Sequence, residues 1–164
     1  MKTIKRYTNY KWVDGVWKGT TCQSLTFEPF EYSHENIELV SEKIRSVLKP
    51  KYLKPYYREE NKTNPLYGHC YHSTQALFYL MDKELLVPTK GIDDRGFAHW
   101  FLKEKITGKV FDPTQDQYLS VSRIPPHKDS KPAMWFMSQP GENCLEIIEQ
   151  IMTPNITNIT EDLS

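Results

Sequence analysis

The chain lacks a CxxC pair, an excess of charge of either sign and any long apolar run, and it holds only three cysteines, Cys22, Cys70 and Cys144. Each absence excludes something. An odd number of thiols without framework spacing does not make a disulfide scaffold, so they read as free thiols in a reducing compartment. Without a CxxC, a structural zinc site is not expected, and no cofactor is. Lys plus Arg and Asp plus Glu both number 21, which argues against a nucleic-acid partner held by bulk electrostatics, although a local basic patch stays open. No stretch approaches the ~18 apolar residues that cross a bilayer, so no membrane partner is expected. Met1-Lys2-Thr3-Ile4-Lys5-Arg6 is basic, but no apolar segment follows it, so it is not read as a signal peptide.

Aromatic residues, in contrast, are abundant. Ten Tyr, seven Phe and four Trp fit a mixed fold with substantial sheet. A chain of 164 residues is long enough for one domain with its own core. Asp14-Gly15 between two β-rich runs signals a hairpin, and Leu25 to Phe30 reads as a further strand limited by Pro29. Ser33 is a good N-cap for a helix over about 34–48, ended by Pro50. Residues 49–67 form a connector broken by prolines and punctuated by tyrosines, of the kind that shapes a cleft. A second helix is expected over about 69–82. A strand follows over 97–103, then a Thr107-Gly108 turn and a paired strand at 109–112. A final amphipathic helix covers 142–152. The expected whole is a single α+β domain over 1–154, with residues 155–164 a flexible tail.

Three residues in this frame carry chemistry. Cys70 stands where a helix begins, and there unpaired backbone N–H groups and the positive dipole end favour a thiolate. Gly68 permits the tight turn into that helix. His99 lies in a strand whose alternation puts His99, Phe101 and Lys103 on one face. Asp112 closes the next strand before Pro113. A nucleophilic thiol, a base and a carboxylate that orients the base form a working set for acyl chemistry. Each also has a bland reading: a buried packing Cys, a satisfied strand His, and an Asp that caps a turn. The register is not ideal either, because a turn at 107–108 sets Lys103, not His99, opposite Asp112. His69 and His72 flank the thiol. With His99 they make a conceivable zinc set, but more simply one tunes the thiol or lines the cleft and the other is exposed. Tyr71 and Trp100 are further candidates for the cleft wall.

The block Asn64-Pro65-Leu66-Tyr67-Gly68-His69-Cys70-Tyr71-His72-Ser73-Thr74-Gln75-Ala76-Leu77, followed by His99-Trp100-Phe101-Leu102 and Asp112-Pro113-Thr114 with Gln117-Tyr118, resembles a group of small bacterial and phage proteins. These carry a GHCy…AL…HW…DpTxxQ(F/Y) pattern. That group is similar to the papain-like superfamily, which includes transglutaminase-like enzymes and cell-wall peptidases. The resemblance covers about residues 50–120. It implies a papain-like fold, with a central Cys-bearing helix packed on a small antiparallel sheet. It also implies Cys70 as nucleophile, His99 as base and Asp112 as orienter, acting on an amide, isopeptide or thioester bond of a peptide or protein. Asn64 would be an oxyanion donor or a turn cap, and Gln117 a support of the site. His69 departs from the small residue often found before the nucleophile. The expected location is the cytoplasm, that of the host if the chain is phage-encoded. The alternative is a binding or inhibitory protein on the same scaffold, with no catalysis.

Overall fold

The computed structural model describes residues 1–164, the side chain of Phe136 excepted. It is an α+β structure with two small antiparallel sheets. Strands β1 (Lys2–Val13) and β2 (Val16–Phe27) form the expected hairpin. Asp14 and Gly15 both take positive φ, 48° and 81°, as a two-residue turn matched to strand twist requires. The strands run further than the sequence pattern suggests. Gly19 does not interrupt β2, because it faces Tyr10 in the ladder and a Cβ there would stand 2.7 Å from the Tyr7 Cβ.

Helix α1 (His34–Ser46) starts where expected, with the Asn36 N–H donating to Ser33 Oγ at 3.0 Å. Its apolar stripe, Ile37, Val40 and Ile44, is fully buried. The connector is compact, with two 3-10 turns (Pro50–Tyr52 and Pro55–Tyr57) leading into the short α2 (Arg58–Asn61). Helix α3 (Cys70–Leu80) is buried along nearly its whole length. Then come β3 (Leu86–Ile92), β4 (Ala98–Glu104), the two-residue β5 (Val110–Phe111), the single turn α4 (Asp116–Leu119) and β6 (Lys131–Pro132). Helix α5 (Glu142–Met152) and strand β7 (Ile156–Asp162) complete the order.

The sheets are ordered β1-β2-β7 and β5-β4-β3-β6. A single apolar cluster joins them. It takes Leu25 and Phe27 from the first sheet, Leu102 and Phe111 from the second, and the inner faces of α1, α3 and α5. Burial of this kind stabilises by roughly 25 cal/mol per Å² of apolar surface, so α3 at the centre is the element the fold is least able to lose.

One expectation is corrected here. Residues 155–164 are not a flexible tail, because Ile156–Asp162 pairs antiparallel with β2, from Phe27↔Ile156 to Thr21↔Asp162. Its Ile and Thr residues are β-branched and suit a half-exposed edge strand, and Ile156 packs on the main cluster. The α+β unit therefore extends past residue 154. β3 was also not foreseen, since Pro88 and Gly91 sit inside it. Among the described residues, no helix is long and apolar enough to cross a membrane.

Candidate functional site

The turn into α3 is made by Gly68 at φ +85°, where a Cβ would stand 2.8 Å from Leu53 Cδ2 and 3.0 Å from Tyr57 Cβ. Glycine is thus needed twice, for the left-handed backbone and for the close approach of the connector. Cys70 follows as the first helical residue, half-buried, with the free N–H groups of the first turn around it. It lines a cavity of about 360 Å³ together with Tyr52, Tyr57, Tyr67, Tyr71, His72, Trp100, Gln117 and Tyr118. Thr74 Oγ1 donates to the Trp100 carbonyl at 3.0 Å and ties α3 to β4, and the Tyr71 and Trp100 rings meet edge-on at 5.7 Å.

On β4, His99 is fully buried, and its ring stacks with Phe101 at 5.9 Å. Its Nε2 lies 2.6 Å from Asp112 Oδ2. The register problem is solved by a short strand. β5 pairs only Val110 with Lys103 and Phe111 with Leu102, so Asp112 has already left the ladder. The Thr114 N–H donates to Asp112 Oδ1 at 3.1 Å and turns the carboxylate back toward His99. Turn cap and ring partner are therefore one residue.

The electrostatics follow from these bonds. Burial alone would push the His99 imidazole down, but its bonds to Asp112 and to Cys70, and the charges of both, outweigh this and raise it to about 10. Burial would likewise raise Asp112, but bonds from His127 and then His99 hold it below the usual carboxylate range. Since Nε2 is committed to Asp112, Nδ1 is the ring nitrogen left for the thiol. Gln117 Nε2 lies 3.4 Å from that Nδ1 and donates to Thr114 Oγ1 at 2.9 Å. Asn64 is buried and donates through Nδ2 to the Gln117 carbonyl at 2.7 Å. It therefore supports Gln117 and does not face the cavity as an oxyanion donor would.

Of His69 and His72, His72 lines the cavity as one of the pair was expected to, but the rest differs. Neither is exposed and His69 does not line the cavity; the two rings bond each other, His69 Nδ1 to His72 Nε2, at 2.7 Å. Burial lowers His69 to about 4, and burial with the charge of His69 lowers His72 to about 3. Unfolded histidines bind protons near 6.5, so the unfolded chain gains protons first as the pH falls. The stability held by neutral His69 and His72 is complete above pH 6.5 and is lost between there and about pH 3. Thermal melts are expected to show Tm falling by about 5 °C or more on acidification through this window, and a His69→Gln/His72→Gln double variant is expected to lose that part of the slope.

His127 was missed in the sequence. It sits in the Pro-rich loop before β6, and its Nε2 lies 2.7 Å from the same Asp112 oxygen that meets His99. Nothing in the spacing of Pro125-Pro126-His127 signals this, because the loop reaches Asp112 only through tertiary packing. Among the described residues, His99, Asp112 and His127 are the group with metal-ligand character, their donor atoms lying within 4.8 Å of one another. Ligands at about 2.0–2.1 Å from a tetrahedral zinc ion stand roughly 3.3 Å apart. The observed separations of 2.6 and 2.7 Å are those of shared protons.

Compared with protein-family models, with curated proteins and with solved structures, the chain matches none.

Proposed function

We propose that the protein is a cysteine-dependent hydrolase or acyl transferase of papain-like architecture, working through Cys70, His99 and Asp112. One arrangement carries the reading: His99 Nε2 is bonded to Asp112, Cys70 acts with Asp112 to raise the same imidazole, and the sulfur opens onto a cavity. A packing histidine does not need both partners.

In the reaction, the proton of the Cys70 thiol passes to His99 Nδ1 and the sulfur attacks the carbonyl carbon of an amide, isopeptide or thioester. An S–C bond forms, and the carbonyl oxygen takes the negative charge. The backbone N–H of Cys70 is the donor beside it, and Gln117 supports the site through its bond to Thr114 Oγ1. Collapse of the intermediate breaks the bond to the leaving group, which takes the proton from His99. Water, or an amine in a transferase, then attacks the thioester, gives its proton back to His99, and releases the Cys70 sulfur, which recovers the proton. Asp112 keeps Nε2 protonated and stabilises the imidazolium. The aromatic walls suit a peptide or protein side chain presented to the thiol, and the setting is a reducing cytoplasm, where Cys70 stays a free thiol.

The test is a series of electrophilic probes, peptide- and thioester-based, applied to the wild type and to Cys70→Ala. Rapid covalent labelling confined to Cys70 is expected, because Cys22 and Cys144 are buried and burial pushes the Cys144 thiol up. Labelling no faster than that of a buried thiol would leave the binding-protein reading. That second reading has its own support in the hairpin, where Trp12 and Trp17 are 61% and 66% exposed.

A further inference from the structure

We propose that His127 is a positioning residue for the thiol chemistry, holding the Asp112 carboxylate in place against His99 from the side away from the thiol. This rests on the cysteine-hydrolase reading above. The Asp112 side chain is 0% exposed, and its Oδ2 accepts from two imidazoles, His99 Nε2 at 2.6 Å and His127 Nε2 at 2.7 Å. An ionised carboxylate has no proton to give, so both Nε2 atoms carry one. Oδ1 takes the Thr114 N–H, so each carboxylate oxygen is engaged and the group has a single orientation. A buried carboxylate with fewer donors would favour its neutral form or swing away, and neither state supports an imidazolium. In Asp112 the bond from His127 is the largest effect opposing burial.

The loop that brings His127 is seated with precision. Gly91 lies directly opposite His99 in the β3–β4 ladder, and a Cβ on it would stand 2.0 Å from the Pro126 carbonyl oxygen. Only glycine at that position lets the loop lie on the sheet. The His127 N–H donates to the Pro125 carbonyl at 2.8 Å, Ser130 Oγ donates to the His127 carbonyl at 2.6 Å, and the His127 ring packs on Phe101 at 4.6 Å. The His127 side chain is 24% exposed, while His99 and Asp112 are sealed, so it is the member of the array that reaches solvent.

The experiment measures the rate of Cys70 alkylation by iodoacetamide from mildly acid to mildly alkaline pH in the full chain, in His127→Phe and in His127→Gln, each checked by thermal melting. His127→Phe keeps a ring but loses the donor. Its rate at neutral pH is expected to fall roughly ten-fold or more, and the acid limb of its profile to move to higher pH, because Asp112 then gains a proton sooner and ceases to stabilise the imidazolium. His127→Gln carries an N–H at a similar reach and is expected to return to within a few-fold of wild type. A packing role would give the reverse order, because phenylalanine keeps the ring that lies on Phe101 and glutamine does not. Should His127→Phe fail to fold, His127→Ala is read in its place. A folded His127→Phe or His127→Ala protein that alkylates like wild type, with an unmoved acid limb, overturns the positioning role while leaving the thiol reading intact. A wild-type Cys70 no more reactive than Cys22 and Cys144 overturns both.

Discussion

His99→Ala is expected to slow the reaction of Cys70 with a thioester or electrophilic probe by about 10²–10³-fold, and Cys70→Ser to remove it. In the proposed reaction the imidazole both accepts the thiol proton and returns it to the leaving group, so the variant would lose two steps at once. Its removal also leaves Asp112 bonded only to His127 and the Thr114 N–H, with no imidazolium beside the sulfur. Asp112 and Cys70 raise the His99 imidazole to about 10, so the proton it takes from the thiol stays on the ring, and the rate is expected to persist through neutral pH and to decline only in alkali. Asp112→Asn should reduce kcat strongly with a smaller change in KM, because the amide still fills the space but its NH2 group must face either the Thr114 N–H or, turned over, both imidazole N–H groups, and the negative charge is gone. Steady-state kinetics on the probe that labels the wild type measure all three. An Asp112→Asn protein with wild-type turnover would remove Asp112 from the mechanism.

Leu77→Asp is expected to unfold the protein. Leu77 is 0% exposed in the middle of α3, inside the cluster that joins both sheets to the three long helices. The substitution removes a side chain whose burial is worth roughly 2–3 kcal/mol and puts an unpaired carboxylate in its place, at a further cost of several kcal/mol. Together these approach the whole stability of a domain, about 5–15 kcal/mol. Leu77→Met, of similar volume, should cost less than about 1.5 kcal/mol and serves as the control. Circular dichroism melts distinguish the two. A Leu77→Asp protein that melts like wild type would displace α3 from the centre of the fold.

The elements legible in the sequence are those whose signals are local. The Asp14-Gly15 turn, the Ser33 cap and the apolar periods of α1, α3 and α5 each depend on residues a few positions apart, and each stands where it was read. What was not legible depends on partners distant in the chain. β3 carries Pro88 and Gly91 and was not expected, and the place of Gly91 in it makes sense only through the Pro126 carbonyl it admits. β7 has strand composition, but it becomes a strand only because β2 offers it an edge. At the site, Cys70, His99 and Asp112 were readable because each sits at an element boundary or in an alternating strand. His127 was not, because a histidine after two prolines in a loop has no period to betray its neighbour. The roles of Asn64 and His69 turned on side-chain direction, which spacing does not encode: one bonds a backbone carbonyl and the other bonds a second imidazole.

The pairing of Ile156–Asp162 with Thr21–Phe27 also sets an order of events during synthesis. The amino-terminal ribbon leaves the ribosome long before the segment that completes its sheet, so for most of translation the backbone N–H and C=O groups of Thr21–Phe27 that face away from β1 have no neighbour. The nascent chain therefore carries a bare, β-prone border until its last strand arrives, and the contact that closes the first sheet is among the most distant in sequence and the slowest to be made.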